Sequence, residues 1–171
     1  MPRRLFIVLV AVTGVLAANP ASAAPEPRPA AALWSAPLAG TPTVTRPFDP
    51  PTSSYGAGHR GVDLAGTPGE SVLAAGAGVV LFAGRVAGRP VISIRHADGL
   101  RTTYEPVETA VAAGQAVARG SPIGTLLAGH ADCPAAACLH WGLRRGEVYL
   151  DPLTLLHPPR IRLLPLPAHP A

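Results

Sequence analysis

The chain has no lysine, and its 14 basic residues are all arginine. That excludes any role in which a lysine amine is modified. Charge of either sign is sparse, at 14% of residues with a formal net charge of +4. Arg3 and Arg4 belong to the extreme N-terminus, so 4 − 2 leaves about +2 for the rest, too little to argue for nucleic acid as a partner. The apolar run from Leu5 to Ala18 falls short of the roughly 20 residues that cross a bilayer, so no stable membrane span is expected. No segment keeps a long helical period, which argues against a helical body. Cysteine is nearly absent too, with Cys133 and Cys138 the only pair.

The N-terminus has the organisation of an export signal. Pro2-Arg3-Arg4 supplies positive charge, Leu5 to Ala18 the apolar segment, and Ala21-Ser22-Ala23 a small-x-small cleavage site. Residues 1–23 are therefore expected to be removed, placing the mature protein outside the cell or in the envelope. The Arg3-Arg4-Leu5-Phe6 order leaves both the Sec and the twin-arginine routes open. In an exported chain, cysteines separated by four residues are expected to close a small disulfide loop; the alternative is a thiolate ligand or nucleophile at Cys138.

Residues 24–33 are rich in Ala and Pro and read as a linker, and the Pro-rich stretch 157–171 reads as a tail that cannot continue a sheet. Between them, over 34–156, short β-like runs alternate with Gly, Pro and Asp punctuation. The clearest are Gly78 to Ala83, Val91 to His96, Leu100 to Tyr104 and Leu139 to Arg144. Ala97-Asp98-Gly99 is expected to turn the second of these into the third as antiparallel neighbours.

An internal echo links Gly69-Glu70-Ser71-Val72 and its Gly76-Ala77-Gly78-Val79-Val80 to Gly114-Gln115-Ala116-Val117 and its Gly120-Ser121-Pro122-Ile123-Gly124. The second copy resembles the hairpin of biotinyl and lipoyl carrier domains, but a carrier needs the lysine this chain lacks. The expected fold is all-β: a barrel-like antiparallel β-sandwich with a biotinyl/lipoyl-like hairpin.

Two local patterns carry chemistry. Gly58-His59-Arg60-Gly61-Val62-Asp63-Leu64 sets an imidazole and a carboxylate four residues apart, a pair zinc accepts together. By itself such a pair is as readily a turn histidine with an aspartate that satisfies backbone. The second pattern is Cys138-Leu139-His140-Trp141-Gly142-Leu143. As a strand it puts His140 on one face with Cys138 and Gly142, and Leu139, Trp141 and Leu143 on the other.

Taken in order with Thr67-Pro68, the Val72 to Val79 segment, His96, Tyr104, the Gly114 to Gly124 hairpin and Asp151-Pro152, these patterns resemble the lysostaphin/LytM family of zinc metallopeptidases, which cut peptide cross-links in peptidoglycan. The resemblance implies that His59, Asp63 and His140 hold Zn2+ with a fourth position open, and that the partners are peptidoglycan stem peptides or cross-bridges. It also implies two departures. The positions where that family carries its two assisting histidines fall on Pro106 and Cys138, neither of which can shuttle a proton if Cys138 is oxidised.

Glu105, Glu108 and His130 are the candidate substitutes, with a solvated surface residue as the alternative reading of each. Strand alternation puts Glu105 on the face opposite Pro106, which ranks it low, and His130 ranks above it because it lies in a loop before the cysteines. The expected function is an exported metalloendopeptidase-like protein of reduced activity. The alternative is a non-hydrolytic module that binds the wall or regulates a partner wall hydrolase.

Overall fold

The computed structural model describes residues 33–53, 56–130 and 132–157. The signal segment, all of the linker but Leu33, and all of the tail but His157 lie outside the described residues.

The body is all-β. The strands are β1 (Val44–Arg46), β2 (Gly61–Gly66), β3 (Ser71–Leu73), β4 (Gly78–Val86), β5 (Arg89–Arg95), β6 (Leu100–Glu105), β7 (Val107–Thr109), β8 (Ala116–Val117), β9 (Pro122–Leu126), β10 (Ala137–Arg145) and β11 (Val148–Leu150). The main sheet runs β1-β2-β10-β6-β5-β4-β8 with β11 paired to β10, and a smaller sheet runs β3-β9-β7. Every strand pairing among the described residues is antiparallel. The expected turn at Ala97–Gly99 is a single 3-10 turn with Gly99 at φ 71°, and it joins β5 to β6 as antiparallel neighbours.

The sequence echo is a structural duplication. Gly69 and Gly114 open their copies at φ 86° and 87°. Each copy then repeats a backbone bond across three residues, Glu70 N–H to Thr67 O and Gln115 N–H to Ala112 O. The copies interlock rather than stand side by side: β3 of the first pairs with β9 of the second, and β8 of the second pairs with β4 of the first. Each copy thereby supplies a strand to both sheets.

Alternation along the strands separates a core face from a site face. In β6, Leu100, Thr102 and Tyr104 are buried while Arg101, Thr103 and Glu105 are half-buried. Register carries the same division across the sheet: Val62, Trp141, Tyr104 and Ile92 stand opposite one another on β2, β10, β6 and β5, each 0% exposed. Burying each such side chain stabilises the fold by about 1.5–3 kcal/mol, so this row fixes the register of the central strands. One residue along, the opposite face of those strands carries the chemistry.

Candidate metal centre

Asp63 on β2 pairs with His140 on β10, and His140 pairs with Glu105 on β6, so the three form one row on the site face. His59 enters this row from the segment before β2. It is held by a reciprocal backbone pair with Asp49, His59 N–H to Asp49 O at 2.7 Å and Asp49 N–H to His59 O at 3.0 Å. Two glycines make that approach possible. A Cβ on Gly58 would lie 2.6 Å from Asp49 O, and one on Gly61 would meet Trp141 O and lie 2.8 Å from His140 Nε2.

The three expected ligands converge. His59 Nε2 lies 3.0 Å from Asp63 Oδ1 and 3.0 Å from His140 Nδ1, and His140 Nδ1 lies 2.9 Å from Asp63 Oδ1. Such a triangle has a circumradius of about 1.7 Å. A point at zinc-to-ligand distance, about 2.0–2.1 Å from all three atoms, therefore exists roughly 1 Å out of their plane. The proton inventory points the same way. Pro47 O, 2.7 Å from His59 Nδ1, can only accept a hydrogen bond, so Nδ1 carries the proton and Nε2 of the neutral ring presents a lone pair. That lone pair faces a carboxylate oxygen and a second imidazole nitrogen. A ring whose other nitrogen donates to a backbone carbonyl is the usual arrangement for a metal-bound histidine.

His59 and Asp63 are buried and His140 is half-buried. Burial alone would raise the Asp63 carboxyl. The hydrogen bond with His140 and the imidazoles of His130, His59 and His140 close by outweigh it and hold the carboxyl below the usual carboxylate value.

The candidate substitutes separate clearly. His130 reaches the site: its Nε2 is 3.4 Å from Asp63 Oδ1, and its ring stacks on His140 with centroids 6.0 Å apart. Glu105 reaches it as well, which corrects the low rank given to it. Alternation does put Glu105 and Pro106 on opposite faces, but β6 ends at Glu105, and it is Glu105 that stands beside His140. With His59, Arg60, His130 and His140 it lines a cleft of about 300 Å³, and Arg89 Nε approaches its Oε2 at 3.6 Å. Pro106 is buried just beyond. Glu108 is exposed on β7 in the smaller sheet and does not join the site. Cys133 and Cys138 are bonded, with Cα atoms 5.7 Å apart, so Cys138 has no thiol to offer. His96 is buried away from the cleft, with Nδ1 2.9 Å from Ala77 O and Nε2 2.7 Å from Thr102 Oγ1, as a structural histidine.

Two features of the site were not read from the sequence. One is the Pro47 carbonyl that fixes the His59 tautomer, for which no sequence signal exists. The other is the placement of Glu105 beside His140, which depends on how β6 and β10 align.

Comparisons with known proteins identify the family. A family model described as Peptidase family M23 matches residues 57–152. The uncharacterized protein Rv2891 of Mycobacterium tuberculosis is 54% identical over 134 residues, 76% of this chain and 54% of that one. The chain thus spans about half the length of these curated relatives. Among solved structures, lysostaphin from Staphylococcus simulans is 25% identical with a TM-score of 0.58, over 68% of this chain and 50% of that one. A zinc-containing peptidase from Vibrio cholerae is 25% identical with a TM-score of 0.57, over 67% and 37%.

Proposed function

The chain belongs to peptidase family M23, and on that premise we propose that it is an exported, zinc-dependent metalloendopeptidase-like protein acting on peptide cross-links of peptidoglycan, with reduced turnover. The observation that carries the reading is the convergence of His59 Nε2, Asp63 Oδ1 and His140 Nδ1 at 2.9–3.0 Å, with the His59 proton committed to Pro47 O. Zinc, when bound, supplies a Lewis acid and activates water for attack on a carbonyl.

The chain's own residues then divide the work. His59, Asp63 and His140 would hold the ion, and Glu105 and His130 line the cleft beside them. Proton traffic is the weak point. The positions that carry imidazoles in lysostaphin-like enzymes are Pro106, which has no proton to exchange, and Cys138, which is tied to Cys133. Losing one positioned acid-base group typically slows a reaction by about 100- to 10,000-fold. Glu105 and His130 are the groups placed to recover part of that.

The same two replacements favour a second reading, a non-hydrolytic module that binds wall peptide or regulates a separate hydrolase. One experiment separates them. The purified protein and its His59→Ala and His140→Ala variants are assayed for zinc content and for release of peptides from isolated peptidoglycan. Stoichiometric zinc in the wild type, lost in His59→Ala, together with slow, chelator-sensitive release absent from His140→Ala, supports the enzyme. Full zinc with no release supports the binding module. Zinc content unchanged in His59→Ala refutes the ligand assignment.

A further inference from the structure

The site face continues past the metal row, and its composition changes in steps set by register. Two residues along from Asp63, His140 and Glu105, the next row is Gly61, Gly142, Thr103 and Ser93, all small. Two residues further stand Arg144, Arg101 and Arg95, directly opposite one another on β10, β6 and β5, with Tyr149 of β11 beside Arg144. A shallow groove therefore has the metal ligands along one wall, an arginine row along the other and a floor without bulk. The walls are four residues apart along each strand, about 13 Å, which is the span of roughly four residues of extended peptide.

An arginine row is costly to keep unliganded. Like charges directly opposite on neighbouring strands destabilise a sheet. Arg101 also has a buried Nε with no hydrogen-bond partner among the described residues. Burial, and then the charge of Arg144, hold its guanidinium below the usual value. An anion at this point would relieve both penalties. The chain itself illustrates the geometry: Glu147 Oε1 sits 2.7 Å from Arg144 Nη2, and the Glu147 side chain is 90% exposed and so easily displaced. Glu105 at the opposite wall repels a second anion, which gives the groove a polarity. Arg60, Arg101, Arg144 and Tyr149 line a cleft of about 200 Å³ that is continuous with His140.

We propose that the Arg101–Arg144 end of this groove is a carboxylate-binding subsite, which anchors an acidic peptide so that its backbone crosses Gly142 and Thr103 toward His140. The inference rests on the reading of the cleft as a peptide site, and it sets the substrate class: a peptide with a free carboxylate about two to four residues from the point presented to the metal ligands. Planar guanidinium groups suit a carboxylate because they donate two parallel hydrogen bonds to it.

The test is calorimetric titration of the full chain with N-acetylated tetra-alanine as the free acid, with the same peptide as its amide, with an amidated peptide carrying one internal glutamate, and with inorganic polyphosphate. A free acid or glutamate peptide should bind at least about tenfold more tightly than the neutral amide, and the better of the two identifies whether the carboxylate is terminal or on a side chain. In Arg101→Gln/Arg144→Gln that preference should disappear while zinc content stays at the wild-type level. Should the double variant fail to fold, Arg101→Gln alone removes one of two opposed charges and should lose most of the preference. Equal affinity for acid and amide, a preference that survives in the folded variant, or tighter binding of polyphosphate than of either acid would overturn the proposal. Arginine-dependent discrimination in a protein that retains no zinc would leave this inference standing and refute the metal reading instead.

Discussion

His96 illustrates how a residue near conspicuous chemistry can be purely architectural. Its Nδ1 donates to Ala77 O, its ring packs edge-to-face with Trp34 with centroids 4.8 Å apart, and its Nε2 closes on Thr102 Oγ1. Burial is the main cause of its lowered pKa, and the bond to Ala77 opposes the shift only in part. A histidine held below its ordinary value of 6.5 stays neutral in the fold. The unfolded chain then binds the proton first, so stability is full above 6.5 and is lost as pH falls from there toward the folded-state value. Thermal unfolding between pH 7.5 and 5 should therefore show a drop in midpoint that is shallower in His96→Gln. An identical slope in the two proteins would mean that another group carries it.

At the scale of elements, the disulfide and the strand ladder do separate jobs. Cys138 is 0% exposed within β10 and is bonded to Cys133, three residues after His130, whose Nε2 lies 3.4 Å from Asp63 Oδ1. The ligands themselves do not depend on that bond, because Asp63 and His140 are aligned by the pairing of β2 with β10. Closing so short a loop is worth about 2 kcal/mol of stability. Cys133→Ala/Cys138→Ala should lower the stability read from urea unfolding by about that amount and leave zinc stoichiometry unchanged. Loss of zinc in the folded double variant would show that the loop, not the ladder, positions the ligands.

For the molecule as a whole, Tyr104 is the joint between the site-bearing sheet and the rest of the core. It is fully buried, and its hydroxyl accepts the Ala75 N–H at 3.0 Å and meets Thr102 Oγ1 at 2.9 Å. Tyr104→Phe leaves a buried N–H without its partner and should cost about 1–3 kcal/mol of stability. Burial also pushes the phenol from 10.0 up to about 12. A raised acid stabilises the fold below its unfolded value and loses that contribution as pH climbs, so wild-type stability should fall between pH 10 and 12. The variant, without the phenol, should have a flatter alkaline limb.

The sequence by itself determined the all-β character, the β-like runs of the body and the internal duplication, which are written in local patterning: alternation of period two and glycines at turns. His59, Asp63 and His140 were singled out by the resemblance to the lysostaphin/LytM family rather than by any one segment. Only the tertiary structure decided which rows those strands form. Alternation assigns Arg101, Thr103 and Glu105 to one face of β6, and His140, Gly142 and Arg144 to one face of β10. That Glu105 meets His140 while Arg101 meets Arg144 follows from cross-strand register. Register is set by the packing of Val62, Trp141, Tyr104 and Ile92 on the far side of the sheet, a non-local balance that no single segment encodes.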